Sequence, residues 1–116
     1  MTTENGSEAT PKLANFADLT AGILSTEERE IPALGCSILI KEVSTGDFEK
    51  LQKIKNDDDR VVKFFCAGIS DGTEKKLTHA QAKEMIEKNS FKAVKQIMSA
   101  IMSVSGVGED NEEGES

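Results

Sequence analysis

The chain reads as α+β and mainly α: a short N-terminal β-hairpin followed by a four-helix cluster, framed by disordered acidic arms. Three observations predict this. The β-branched residues gather in one stretch, EREIPALGCSILIKEVS, on both sides of Leu34 and Gly35. Apolar residues then recur at helical spacing as far as Val104, and a capping residue stands before each run. The acids collect at the ends: residues 1–27 carry a net charge of −3 and residues 107–116 a net −5, so residues 28–106 hold +1 of the chain's −7. At 116 residues there is room for one domain, and the low hydrophobic content of 37% is a property of the ends, not the middle. The expected organisation is a disordered N-terminal arm over 1–27, a folded domain over 28–106 and a disordered acidic tail over 107–116.

Within the N-terminal arm, Thr, Glu, Asn, Gly and Ser predominate, with at most a weak helical turn around Phe16 to Leu24. The run Ser37 to Val43 is too short for a helix, which predicts a hairpin of about 29–33 and 37–43, with Pro32 on an edge strand where a missing N–H does no harm. Ser44 is placed to cap a helix with Asp47 returning the bond, and Val43 to pack on Phe48. That helix runs to about Lys55, with Phe48, Leu51 and Ile54 on one stripe. The polar run Asn56 to Asp59 ends it and starts a second, from Arg60 to Ile69, whose three aspartates suit the positive end of a helix dipole. This second helix is largely apolar and should be central. Ser70 to Thr73 is turn chemistry, and Thr78 with Gln81 forms a capping box opening a helix over 79–88 with Ala82, Met85 and Ile86 inward.

The last helix, Ser90 to Val104, closes on Gly106 as a left-handed stop. Its apolar residues, from Phe91 through Met98 to Val104, sweep an arc of about 200° at 100° per residue, where a surface helix needs about half that. Lys92, Lys95, Gln96, Ser99 and Ser103 are left for water. Two arrangements accommodate such an arc: burial on most sides inside its own small domain, or one edge closing the core while the other meets another chain. In the second, Phe91, Met98 and Met102 form the partner-binding edge, with Val94 and Ile101 in the core.

Several function classes find no support. Cys36 and Cys66 are two, without a CxxC pair or a histidine partner, and read as reduced core thiols. Asp57–Asp59 does not begin a calcium-loop pattern, the single histidine, His79, has no partners for a metal site or a nucleophile–base pair, and no glycine-rich loop leads from a strand into a helix. The expectation is a non-enzyme without cofactor or metal. No basic face interleaved with aromatics offers itself to nucleic acid, and no apolar run of about 18 residues offers itself to a membrane. With no signal-peptide pattern at the N-terminus, a cytosolic location follows.

Residues 28–106 resemble the tail assembly chaperones of long-tailed, siphovirus-type bacteriophages. The resemblance is carried by four elements in order: a strand pair before a polar turn (EREIPALGCSILIKEVSTGDF), an aspartate-led apolar helix (DDRVVKFFCAGI), a glycine turn leading to a capped helix (SDGTEKKLTHAQAKEM), and a last helix closing on Ser-Gly (SFKAVKQIMSAIMSVSG), with the acidic tail directly after. It implies a non-enzymatic factor of the host cytoplasm that binds the tape measure protein, keeps it soluble, helps recruit major tail tube subunits and leaves before the tail is finished. Such families often make a longer form by frameshifting near the end of the gene, of which this chain would be the short form, and homo-oligomers are compatible with the reading. The alternative is a small structural tail or head-completion subunit that self-assembles through the same apolar C-terminal helix; an acidic mimic of nucleic acid is a more distant third.

Overall fold

The computed structural model describes residues 13–107; residues 1–12, part of the expected N-terminal arm, and residues 108–116, all but the first residue of the expected acidic tail, fall outside the described residues. The fold is mixed α and β, mostly helical, around a three-stranded antiparallel sheet. In chain order the elements are α1 (Phe16–Ala21), β1 (Thr26–Ile31), a 3-10 turn (Pro32–Leu34), β2 (Cys36–Lys41), α2 (Thr45–Gln52), α3 (Asp57–Gly68), β3 (Ile69–Ser70), α4 (His79–Lys88) and α5 (Phe91–Ser105).

The hairpin is present, but shifted from its expected place. Strands β1 and β2 pair from Thr26↔Lys41 to Ile31↔Cys36, so β1 reaches back into what reads as the N-terminal arm. Pro32 is not on an edge strand. It opens the 3-10 turn, where its fixed φ is an asset, and Gly35 closes that turn at φ 71. The strand is hard to see in sequence because TEEREI is an edge strand that buries only its last residue fully. The third strand was not expected either: Ile69, read as the end of a helix, is extended and pairs with Ile40, and Ser70 with Leu39.

The helices start where side-chain oxygens meet free N–H groups. Ser44, Asn56, Thr78 and Ser90 each accept a hydrogen bond from the backbone N–H three residues on, at 3.0–3.1 Å. Asn56 is therefore the cap of α3, and Asp57–Asp59 form its first turn instead of preceding it, where their charge favours the dipole. The Thr78–Gln81 capping box is reciprocal. The Ser44 cap gains no return bond from Asp47 among the hydrogen bonds found. At the other end Gly106 takes φ 77 and donates back to Met102 and Ser103.

Helix α5 lies at the centre, with the sheet against one side and α3 against another. Phe65, Ile31, Ile40, Ile97 and Ile101 are the largest fully buried side chains, so sheet, α3 and α5 each supply part of one core. Three polar links tie α5 to the hairpin: Gln96 Oε1 accepts from the Ala33 N–H at 2.8 Å, Ser103 Oγ from Arg29 Nη1 at 3.2 Å, and Ser105 Oγ from the Val43 N–H at 2.9 Å. Gln96 and Ser103, read as solvent-facing, are instead half-buried ties to the hairpin. Cys36 is also a correction. It is exposed at the start of β2, directly after the turn, while Cys66 is half-buried on α3.

Candidate partner-binding surface

On α5 the apolar arc divides. Ala93, Val94, Ile97, Ala100, Ile101 and Val104 are buried, whereas Met98 and Met102 are half-buried and Phe91 is 78% exposed. The inner residues are those that touch sheet and α3. The outer ones line two shallow grooves that share a ridge formed by Val61 of α3 and Met98 of α5.

The first groove, of about 750 Å³, runs between α3, α4 and α5. Val62, Ile86 and Val94 line it together with the ridge, and Phe91 stands on its wall. Its charged side chains are mixed, with Asp58, Asp59 and Glu87 set against Lys83 and Lys95. The Lys95 ammonium lies 5.4 Å from the centroid of the Phe91 ring, a cation–π contact worth about 0.5–1 kcal/mol at an exposed site. The second groove, of about 610 Å³, lies between α2, α3 and α5 and is lined by Phe48, Leu51, Phe64 and Met102 beside the ridge. Its rim cation is already engaged: Arg60 donates to Asp57 Oδ1 at 2.7 Å and to the Ile54 carbonyl at 2.5 Å.

All three residues singled out from sequence are thus on the outer arc of α5, but no single groove takes all of them. Phe91 and Met98 share the first, and Met98 and Met102 the second. From Phe91 to Met102 is about 16 Å at 1.5 Å per residue, close to three turns of a helix laid alongside. Sequence reasoning missed the opposite wall. Val61 and Phe64 stand three apart on α3 and share a face, a spacing that was legible but was absorbed into the statement that α3 is apolar and central.

The polar chemistry elsewhere is local. Burial pushes the Cys66 thiol up from its ordinary range, against a smaller opposing effect of Lys63, which disfavours the thiolate a nucleophile needs. The Asp71 carboxyl is held below the usual range by the Thr73 hydroxyl, which donates to it at 2.6 Å, and by the Thr73 amide at 2.9 Å. Among the described residues no three His, Cys, Asp or Glu side chains gather as a metal site, and no helix is long and apolar enough to cross a membrane. Neither a protein-family model, nor a curated protein, nor a solved structure matches this chain.

Proposed function

We propose that this chain is a phage tail assembly chaperone that binds the tape measure protein through the paired grooves on α3 and α5. The supporting observation is the apolar double groove itself, with a methionine on its ridge and another along its wall. Met has three rotatable bonds and a polarizable sulfur, so such a surface can adapt to a succession of different apolar side chains. An aggregation-prone helical protein offers just that: apolar stripes at helical spacing, which fit a groove between helices. The mixed charges along the first groove neither attract nor repel one sign strongly, so affinity comes from apolar contact.

In this reading the chain acts in the host cytoplasm, masks the tape measure helices, helps bring tube subunits to them, and departs before the tail is complete. A frameshifted longer form of the same chain would carry further contacts to the tube subunits. Co-expression with the tape measure protein of the same phage should raise the soluble fraction of that protein. Binding should persist in salt that shortens the screening length below about 8–10 Å. Mass spectrometry of finished virions separates this reading from the alternative: stoichiometric amounts of this chain in the particle would make it a structural tail or head-completion subunit.

A further inference from the structure

Helix α5 holds two lysines, Lys92 and Lys95, and no acid, while residues 108–116, which follow it, hold five acids and no base. Each set of charges stands at the less favourable end of the helix dipole. Lys92 is in the first turn, where the dipole is positive, and the acids come just after the last turn, where it is negative. Neither lysine belongs to an ion pair among the described residues, and Lys95 has only the Phe91 ring beside it. Both lysines line a third groove, of about 500 Å³, between α5 and the end of β1. Ser99, Ala100 and Ser103 line it too, and their small side chains leave room along the helix.

We propose that residues 109–115 fold back along this groove, so that the acidic tail covers the lysine stripe of α5 and bars it to other acidic chains. Three observations select the tail as the occupant. The first is where the described chain ends. Gly106 at φ 77, with the Val107 N–H bonded to the Met102 carbonyl at 2.8 Å, turns the chain out of the helix axis. At 100° per residue Gly106 falls within about 20° of Lys95 and Ser99, so the turn begins on the lysine side.

The second is reach. Lys95 and Lys92 lie about 16 and 21 Å back from Gly106 at 1.5 Å per residue, whereas Glu112 and Glu115 can extend about 20 and 30 Å beyond it. The third is charge. Arg29, on the β1 side of the groove, is already answered by Glu27 at 2.9 Å, and Glu30 is the one acid among the lining residues, so the two lysines outnumber it. The other lysine cluster, Lys41, Lys75 and Lys76, lies by a loop that carries Asp71 and Glu74 and is nearer to balance. Lys95 also lines the first groove, so a tail that draws its ammonium away uncovers the Phe91 ring there for apolar contact. The contact is independent of the tape measure reading, because it needs only this chain.

A spin label on Asn111→Cys tests it by NMR, in the full chain with Cys36→Ser and Cys66→Ala removing the other thiols and a melting curve confirming the fold. In about 10 mM salt the label should broaden the amide signals of Lys92 through Ser99, and these should recover in about 1 M salt as the screening length falls from about 30 to about 3 Å. Lys92→Gln and Lys95→Gln should each lower the docked-to-free ratio about two- to fivefold, the worth of one exposed ion pair. The broadening should persist when the labelled chain is diluted into an excess of chain without label or isotope, as a contact within one chain requires. Where the thiol replacements unfold the protein, the amide shifts of the wild type are compared with those of a full chain whose five tail acids are changed to amides, and the differences should fall on the same residues at low salt only. Broadening that is absent at low salt, that survives about 1 M salt, that vanishes on dilution, or that centres on Lys41, Lys75 and Lys76 would overturn the proposal.

Discussion

Replacing Gly68 with Ala sets two opposed effects against each other. Gly68 is the last residue of α3, buried, and a Cβ added there would lie 2.5 Å from Ile101 Cγ2 and 2.8 Å from Cγ1 and Cδ1. Gly→Ala in a helix normally gains up to about 1 kcal/mol, and less at the final residue. Overpacking a core costs about 1–3 kcal/mol, and the upper half of that range applies because the clashing atoms belong to a β-branched side chain with no exposure at all. Sterics should win by about 1–2 kcal/mol, and a domain of this size should melt several degrees lower. Urea titration of G68A, I101A and the double variant separates this from a general helix effect. I101A alone should cost about 2–5 kcal/mol, and the double variant should lose at least about 1 kcal/mol less than the sum, because the new methyl occupies part of the space Ile101 leaves. Gly46→Ala is the control, since its Cβ would meet nothing nearer than Ser44 Oγ at 4.0 Å and should stabilise by a few tenths of a kcal/mol. A G68A protein as stable as the wild type, or strictly additive losses, would show that α3 and α5 are not packed this closely.

Met98→Gln with Met102→Gln should weaken tape measure capture strongly while lowering stability by about 1–2 kcal/mol in total, because both side chains are only half-buried; a pull-down beside a melting curve reads both, and loss of the fold would place them in the core. Gly106→Ala should cost about 1–2 kcal/mol by chemical denaturation, the price of placing a Cβ at φ 77, although nothing crowds the position. The Asp71–Thr73 turn should depend on pH in one direction. Because the folded carboxyl is held below its ordinary range, its contribution is complete above that range and is lost only as pH falls through the lowered value, so the Thr73 amide signal in NMR should shift at a more acidic pH than an ordinary aspartate titrates. A Thr73 shift at or above the ordinary range would contradict the hydrogen bonds drawn to Asp71.

What the sequence made legible was what local chemistry dictates. The caps at Ser44 and Thr78, the stop at Gly106 and the 79–88 helix depend on residues within four positions of one another, and all are where the pattern places them. The hairpin was legible in kind but not in register, because β1 is charged along most of its length and its pairing is set by the Pro32–Gly35 turn. The two-residue β3 has no local signal at all; it exists because Ile69 finds Ile40 across the sheet. That α5 carries a wider apolar arc than a surface helix needs was legible in its sequence, but how the arc divides, and the walls that Val61, Phe64 and Phe48 contribute, required knowing which helices lie beside it. The polar stripe misled for the same reason. Gln96 and Ser103 look solvated in a helical projection, and only the hairpin folded over them turns them into ties.

The two faces of α5 differ in chemistry as well as burial, and the difference bears on function. The inner face holds Val94, Ile97, Ile101 and Val104, β-branched residues with few rotamers, which lose little freedom on burial and fix the helix against sheet and α3. The outer face holds Met98 and Met102, which keep several rotamers and remain half in water. A helix of uniform composition would link binding to folding, since a partner that reshaped the outer face would disturb the core. Segregating stiff residues inward and adaptable ones outward lets the outer face take different apolar partners while the core stays as it is. Such a division is what the proposed chaperone role would require of a surface that meets a succession of apolar helices.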